Sequence, residues 1–146
     1  MLATVLFPQN AALQLEGLKP SEQGVLIHLS TLTSTAPCPV CQQESNRLHS
    51  YYYRYPTDLP CFGLPVRLQI QIRRFFCRNR QCAKRTFAER LQQLLHPRKR
   101  RTERLATALT QLSYEVSAES GSRVLSGLGV VTSPDSLMRL IRATPE

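Results

Sequence analysis

Two pairs of cysteines constrain the fold of this chain more than any other feature of its sequence. Cys38 and Cys41 form a CxxC pair, Cys77 and Cys82 form a CxxxxC pair, and 35 residues separate the two pairs. Each pair closes a short loop, so the four thiolates are able to converge on one tetrahedral metal ion at Zn–S distances of about 2.3 Å. The spacing therefore predicts one structural Zn²⁺, although four sulfur ligands would also accept iron.

The setting of the cysteines favours metal binding over disulfides. No signal peptide is recognisable at the start of the chain, and no apolar run reaches the roughly 18 residues of a membrane span. We therefore expect a cytoplasmic, nucleoid-associated protein with no membrane partner, where paired cysteines more often bind metal. The fifth cysteine, Cys61, is expected to be a small buried hydrophobic residue.

The segments around the cysteines have the patterns of β-strands. Residues 13–33 predict a hairpin with a turn at 19–24, and residues 47–55 favour a strand. Pro56 and Pro60 are expected to break that strand. Residues 66–73 alternate strictly between apolar and polar, which predicts a strand with one buried face and one basic, solvated face. This strand leads to the second cysteine pair, antiparallel to the strand that leaves the first pair, as a zinc ribbon requires.

A run of tyrosines marks the strand at 47–55. Tyr51, Tyr53 and Tyr55 share one face, whereas Tyr52 and Arg54 share the other. Such tyrosines are able to stack on bases or to lie along a phosphate backbone. The alternative interpretation is that one face of the strand packs against the rest of the ribbon.

Three helices are predicted after residue 101. Thr102, Ser117 and Ser133 are suitable N-caps, and Pro134 follows the last of them at the first helical position. Two short helices joined through glycines match a helix-turn-helix, whose last helix lies in the major groove. Ser136, Arg139 and Arg142 would then lie off the apolar face and contact bases or phosphates. A plain three-helix bundle has the same periodicity and stays open.

These patterns predict an α+β fold in which an N-terminal antiparallel β zinc ribbon is followed by a small three-helix helix-turn-helix domain. The expected boundaries are a poorly ordered N-terminus at 1–12, a β-rich zinc-ribbon domain at 13–95, a basic linker at 96–101 and a helix-turn-helix domain at 102–146.

Positive charge is concentrated in the middle of the chain. The formal net charge is +9, yet residues 67–104 alone carry thirteen basic and two acidic side chains, which is +11. Such a localised field is typical of a nucleic-acid-binding protein, whereas the plainer alternative is a solubilising surface. Phosphate contacts are expected from these residues: Arg67, Arg73, Arg74, Arg78, Arg80, Lys84, Arg85, Arg98, Lys99, Arg100 and Arg101.

No catalytic constellation is recognisable. The acidic residues are scattered along the chain, and no glycine-rich phosphate-binding loop is present. A closed four-cysteine site leaves no open position for water or substrate, so the metal is expected to be structural.

An ordered set of short motifs resembles one family. The motifs are CPVC at 38–41, RLHSY at 47–51, DLP at 58–60, GLPVR at 63–67, RRFFC at 73–77, Cys82 and TFAERL at 86–91. Together they resemble the N-terminal region of ISL-three-type insertion-sequence transposases. Those proteins begin with a zinc ribbon, continue with a helix-turn-helix and end with a DDE-type catalytic domain.

The resemblance covers residues 13–142 and implies binding to double-stranded DNA at the terminal inverted repeats of a transposable element. The four paired cysteines fall on the family's zinc ligands, and residues 118–142 fall on its helix-turn-helix. Cys61 is a departure, because the family commonly has Trp there. The chain stops at Glu146, where the catalytic domain would start. We therefore expect a protein that binds DNA without cutting it.

Other functions stay open at this point. The chain would alternatively be a protein-interaction subunit or a regulator, bound to a full-length transposase or to a second copy of itself. RNA instead of DNA also fits a basic ribbon with tyrosines. A metal-dependent enzyme is the least favoured function, because the metal site is closed.

Overall fold

The computed structural model of the chain describes residues 2–8 and 12–145. Eight strands and four helices follow one another in this order: α1 (Leu2–Leu6), β1 (Leu13–Ser21), β2 (Gly24–Thr31), β3 (Ala36–Pro37), β4 (Glu44–Ser45), β5 (Leu48–Arg54), β6 (Thr57–Cys61), β7 (Leu64–Phe76), β8 (Thr86–Ala88), α2 (Glu103–Glu115), α3 (Ala118–Leu128) and α4 (Pro134–Ala143). The predicted mixed α+β class is confirmed.

Strand β7 is the centre of a six-stranded sheet. One edge of β7 pairs with β2 in parallel and, further along, with β8. The other edge pairs with β6 and, further along, with β5. The pairings with β8, β6 and β5 are antiparallel. Strand β1 completes the sheet beyond β2. The alternation at 66–73 explains this position, because Val66, Leu68, Ile70 and Ile72 are all buried. The predicted strand is thus confirmed, and it extends three residues further in the C-terminal direction.

The predicted hairpin at 13–33 is also confirmed as β1 and β2, with a tighter turn than expected. Only residues 22 and 23 lie between the strands. Gly24 follows the turn with a φ of 129°, and a Cβ atom there would lie 2.1 Å from the carbonyl oxygen of Pro65. Glycine therefore allows β2 to start directly alongside β7.

The expectation that the strand at 47–55 breaks at the prolines is confirmed at Pro56, because β5 ends at Arg54. A further strand, β6, which was not predicted, follows at residues 57–61 and contains Pro60. Pro60 falls at the irregularity between Asp58 and Cys61, where the register with β7 shifts. A proline at such a position removes no hydrogen bond from the ladder. The strand therefore tolerates it.

The N-terminus also differs from the expectation of poor order at 1–12. Residues 2–6 form α1, and Phe7 is buried against the sheet. Residues 1 and 9–11 of that segment lie outside the described part of the chain.

Three apolar clusters organise the interior. The largest lies on one face of the sheet and includes Phe7, Leu13 and the buried residues of β7, with Leu91, Leu94 and Leu95 covering them. A second, at the cysteine pairs, contains Ala36, Cys38, Phe75 and Phe87. A third joins α2, α3 and α4 through Leu105, Leu109, Leu125, Val130 and Leu137.

The helices dock on the sheet through an ion pair between a buried carboxylate and a half-buried arginine. Asp58 of β6 is 2% exposed and accepts hydrogen bonds from Nε of Arg104 at 2.8 Å, from Nη2 of the same guanidinium, and from Oγ1 of Thr102 at 2.7 Å. Hydrogen bonding to Asp58 raises the pKa of Arg104. Thr102 is at the same time the N-cap of α2, as predicted. A buried carboxylate needs such partners, because alone it would lose its hydration without compensation.

The expected basic linker at 96–101 is attached to the sheet. The backbone N–H of Thr57 donates to the carbonyl of Arg100 at 2.9 Å, and the N–H of Thr102 donates to the carbonyl of Thr57 at 3.0 Å. The segment therefore runs beside β6. No helix in the described residues is long and apolar enough to cross a membrane.

Candidate metal centre and nucleic-acid surface

The four paired cysteines meet at one point. Their Sγ atoms all lie within 4.8 Å of one another. The Sγ atoms of Cys38 and Cys82 are 4.0 Å apart, and those of Cys41 and Cys77 are 3.6 Å apart. A tetrahedral site with Zn–S bonds of about 2.3 Å has S···S edges of about 3.8 Å. The cysteines therefore fit one structural Zn²⁺, which confirms the predicted cofactor and its ligands.

Local hydrogen bonds shape the first cysteine loop. The N–H of Cys38 donates to the carbonyl of Gln43 at 3.0 Å, and the N–H of Gln42 donates to the carbonyl of Cys38 at 2.9 Å. Gln42 adopts a left-handed φ of 64°, which turns the chain towards the short β3–β4 pair. The loop thus returns Cys41 towards Cys38.

The second loop presents Cys77 and Cys82 in a similar way. The N–H of Cys82 donates to the carbonyl of Asn79 at 3.1 Å, and the N–H of Lys84 donates to the Sγ of Cys82 at 3.4 Å. An N–H aimed at sulfur stabilises the thiolate that a metal requires. Phe75 and Phe87 stack behind the site with ring centroids 5.9 Å apart, so the ligands rest on a rigid base.

The four thiols cannot all ionise unless a cation balances them. Burial disfavours the Cys38 thiolate, but the N–H groups of Cys41 and Val40 outweigh it and lower the pKa of Cys38 to about 7. The N–H of Asn79 favours the Cys77 thiolate, yet burial and the neighbouring thiols prevail and raise its pKa to about 12. One proton leaves readily and the later ones do not, because each further thiolate adds a like charge. A divalent ion removes that penalty.

Cys61 is a correction to the sequence analysis. It was expected to be buried, but it is exposed at the end of β6, outside the four-sulfur cluster. The reason is the turn that follows, where Phe62 has a φ of 53° and is 98% exposed. The apolar neighbours of Cys61 resemble core sequence, but they lie at a hairpin tip.

The fold and the site together define a zinc ribbon with four cysteine ligands. Residues 34–82 match the family model of the zinc-finger of transposase IS204/IS1001/IS1096/IS1165. The matched segment contains all four ligands and covers 49 of the 146 residues, so it concerns the ribbon and not the helices. Among curated proteins and among solved structures, no match to this chain is found. The resemblance to these transposases is therefore confirmed for the zinc ribbon.

Most of the predicted phosphate-contacting residues lie on the surface. The exposed ones are Arg67, Arg74, Arg78, Arg80, Lys84, Arg85, Arg98, Lys99 and Arg100. Within the described residues, the ion pairs are Arg73–Glu89 and Arg104–Asp58, and the third basic–carboxylate contact is that of His96 with Glu103. None of the nine exposed cations is therefore neutralised by a carboxylate. This surface therefore keeps its positive charge available.

The side chains of two predicted phosphate-contacting residues make hydrogen bonds within the protein instead. Nε and Nη2 of Arg73 donate to Oγ1 and to the carbonyl of Thr31 at 3.0 and 2.7 Å, and Nε lies 3.7 Å from the carboxylate of Glu89. Nη2 of Arg101 donates to Oγ1 of Thr132 at 3.2 Å. Arg73 thereby ties β7 to β2, and Arg101 holds the connection between α3 and α4.

Helix α4 presents an exposed and largely charged stripe opposite its buried face. Asp135, Met138, Arg139 and Arg142 recur at helical spacing and are all exposed, whereas Leu137 is fully buried. Ser136 is half-buried, and its backbone N–H donates to Oγ of the N-cap Ser133 at 3.2 Å. Two of the three residues predicted to contact bases or phosphates therefore lie on the open face.

Sequence reasoning missed several surface residues. Arg90 is exposed and lies in the TFAERL motif. The count of basic residues includes it, but it is not among the predicted phosphate contacts. Arg47 lies over the ring of Phe76, with its guanidinium carbon 4.9 Å from the centroid. The tyrosines of residues 51–55 are between 37% and 53% exposed, so neither face of β5 is buried by packing.

Proposed function

We propose that this chain is a DNA-binding module of a transposase, which recognises the inverted repeats at transposon ends. The match of residues 34–82 to a transposase zinc finger carries the proposal. In this proposal the zinc ion has no contact with DNA and acts by holding the ribbon together.

The helices would read the sequence as a helix-turn-helix formed by α3 and α4. Five residues, 129–133, join the two helices, and Gly129 ends α3 with a left-handed φ of 97°. Gly121 lies where a Cβ atom would come 3.2 Å from Leu137, so its size allows α3 to approach α4 closely. Helix α4 would then enter the major groove with Arg139 and Arg142 towards the bases or the backbone.

The ribbon and the segment 96–101 would supply sequence-independent contacts. Nine of their predicted phosphate-contacting cations are exposed, and none of these nine has a carboxylate partner among the described residues, as a phosphate surface requires. If about six phosphates are neutralised, the slope of log affinity against log salt is expected to be near −5.

The test is a selection followed by a titration. Duplexes enriched from a random-sequence pool are labelled, and their binding is measured by fluorescence anisotropy at several salt concentrations, with a scrambled duplex of equal length as control. We expect a slope near −5 and tighter binding of the enriched duplex. Arg139→Ala with Arg142→Ala should remove that preference, whereas Arg123→Ala on the exposed side of α3 should retain it. A slope near zero would contradict the proposal.

We further propose that these residues bind DNA without cutting it. Supercoiled plasmid incubated with the protein and Mg²⁺ or Mn²⁺ is expected to stay intact. Nicking that co-purifies with the chain, and that is lost in a variant of one of its acidic residues, would contradict this.

A second candidate function is a subunit that binds a full-length transposase or a second copy of itself. The observation that favours it is an apolar surface on two adjoining turns, where Phe62 is 98% exposed and Val131 is 90% exposed. A Cβ atom on Gly129 would lie 2.9 Å from the carbonyl oxygen of Gly63, which places the two turns against each other. Self-association in sedimentation runs that survives nuclease treatment and is lost with Phe62→Ser would support this function.

A further inference from the structure

A groove crosses the end of the sheet beneath the segment 89–98. It consists of two adjoining cavities of about 420 and 280 Å³. Both are lined by Tyr52 of β5, by Lys84 and by residues of β8. The volumes are those of a site for a small ligand or for part of a chain, not of a site that a duplex enters.

The groove is strongly positive. Five cations line it: Arg54, Arg74, Lys84, Arg90 and Arg98. All but Arg54 are exposed, and none has a carboxylate partner among the described residues. Such a concave cluster attracts an anion with several charges.

One acidic residue also lines the groove, but its negative charge is already balanced by other groups of the protein. Oε1 of Glu89 accepts hydrogen bonds from the backbone N–H of Arg73 at 2.8 Å and from Oγ1 of Thr31 at 2.7 Å. The guanidinium of Arg73 lies 3.7 Å away. Glu89 therefore does not offset the five cations.

Arg54 fixes the turn that carries one of these cations. Its Nη2 donates to the carbonyls of His96 and Lys99, at 3.1 and 2.6 Å. Arg98 lies between these two carbonyls and adopts a left-handed φ of 65°. The turn is thus held in one conformation, and Arg98 is placed at the groove before any ligand binds.

Tyr52 supplies a flat aromatic surface beside the cations. In the sheet it pairs with Ile72, which also lines the groove, whereas Tyr51 and Tyr53 pair with Arg73 and Gln71 on the opposite face. Tyr52 is 37% exposed, and its ring stacks on no other aromatic ring among the described residues. An exposed aromatic side chain next to a basic groove is the arrangement that binds unpaired bases.

We propose that this groove binds single-stranded nucleic acid, with Tyr52 stacking on a base while Arg74, Lys84, Arg90 and Arg98 contact the phosphates. The proposal deepens the DNA-binding function proposed above, on which it rests. A duplex cannot place a base against Tyr52 in cavities of about 420 and 280 Å³, because its bases are paired and stacked and only their edges are open in the grooves. Double-stranded DNA would therefore lie on the outer surface, and only an unpaired strand would reach Tyr52.

The test measures anisotropy of labelled twelve-nucleotide oligo-dT, oligo-rU of equal length and a duplex. Tyr52→Leu is expected to weaken oligo-dT binding about five- to 150-fold, the range of base–aromatic stacking, and to leave duplex binding within twofold. Tyr53→Leu, on the other face of the same strand, is the matched control and should leave both unchanged. Tyr52→Phe keeps the ring and should bind like the parent. The oligo-rU arm shows whether RNA is bound as well as DNA.

A pair of charge variants tests the phosphate contacts. Lys84→Gln with Arg90→Gln should weaken oligo-dT binding more than Lys99→Gln with Arg100→Gln, a pair of exposed cations outside the groove. Zinc content and thermal melts confirm that each variant is folded.

Three results would overturn the inference: no binding of oligo-dT or oligo-rU, equal effects of Tyr52→Leu and Tyr53→Leu on oligo-dT binding, or equal weakening of duplex and single-strand binding by Tyr52→Leu. In the last case the groove belongs to the duplex surface, and the proposed function stands. Loss of duplex binding by the parent protein, with single-strand binding retained, would instead count against the proposed function.

Discussion

At the scale of single residues, two cysteines of this chain lie in opposite environments. Cys38 is fully buried in the four-sulfur cluster, whereas Cys61 is exposed at a hairpin tip. A site with three thiolates holds zinc less tightly, because one of the four metal–sulfur bonds is lost.

The first prediction compares these two cysteines. Cys38→Ser should lose the zinc ion and lower the melting temperature strongly, because the ion that joins the two cysteine loops is removed. Cys61→Ser should retain one zinc per chain and change the free energy of unfolding by less than about 0.5 kcal/mol. Metal analysis by mass spectrometry and a thermal melt check both. Zinc retained by Cys38→Ser at full occupancy would contradict the assignment.

Arginines also divide into two groups, and Arg104 belongs to the interior. It binds Asp58, donates from Nη1 to the carbonyl of Leu6 at 2.6 Å and lies over the ring of Phe7 at 4.8 Å. One side chain therefore joins α1, β6 and α2.

The second prediction concerns the loss of this side chain. Arg104→Ala leaves the carboxylate of Asp58 buried without its cation, so we expect a loss of about 2 kcal/mol in the free energy of unfolding. This lies below the 3–5 kcal/mol of a fully buried pair, because solvent partly screens Arg104. Urea unfolding measures it. Arg142→Ala on the surface is the control and should stay within about 0.5 kcal/mol.

At the scale of elements, the end of α3 decides how α4 is placed. Gly129 has a φ of 97°, and a Cβ atom there would lie 2.9 Å from the carbonyl oxygen of Gly63. Gly127, two residues earlier and within α3, has open space around the position of a Cβ atom. A side chain at residue 129 would therefore clash and strain the backbone, whereas a side chain at residue 127 would be accommodated.

The third prediction is that alanine has opposite effects at these positions. Gly129→Ala should destabilise the protein by about 1–3 kcal/mol, because the left-handed conformation and the contact with the hairpin turn both penalise a side chain. Gly127→Ala should stabilise it by about 0.5 kcal/mol, because alanine favours a helix. Chemical unfolding of the two variants checks the signs. Equal signs would show that α3 ends elsewhere.

At the scale of the whole molecule, β7 connects the separate clusters. It contributes Val66 to Ile72 to the sheet core and Phe75 to the cluster at the metal site, while its neighbour β6 receives the helices through Asp58. The helical cluster shares no buried residue with the metal site. Loss of zinc should therefore act mainly at one end of the sheet.

The fourth prediction follows from this arrangement. A chelator should increase hydrogen exchange of the backbone amides at 36–45 and 74–88, because removal of the ion takes away the bonds that join the two cysteine loops and lets the thiolates take up protons. The amides of α2 and α4 should stay protected, and they are the internal control. Acid should act in the same direction, since protons compete with zinc for the thiolates. Hydrogen exchange read out by mass spectrometry distinguishes this from global unfolding, in which the helices would lose protection equally.

Much of the candidate site could be predicted from local sequence. The metal ligands were predictable because a CxxC and a CxxxxC pair leave few ways to satisfy four thiolates. The helix starts were predictable because Thr102, Ser117 and Ser133 each accept a backbone hydrogen bond from the first turn that follows. The strict alternation in β7 specified a strand with one buried face.

The rest depended on partners far away in the chain. The parallel pairing of β2 with β7, which joins Val25 to Val66, has no local signature. The exposure of Cys61 and the internal roles of Arg73 and Arg104 likewise depend on what the fold brings beside them. A charge count treats every arginine alike, whereas burial and hydrogen bonding separate them.

The sequence by itself determined the zinc ligands, the mixed α+β class, the starts of α2, α3 and α4, and the presence of β1, β2, β5 and β7. It did so because ligand spacing, capping and periodicity act between residues close together in the chain. Only the tertiary structure decided which cations remain free, and that Tyr52, Lys84 and Arg98 line one groove. These properties arise from contacts between residues that are far apart in the chain, such as Thr31 and Glu89, which are 58 positions apart, and no local sequence pattern predicts such contacts.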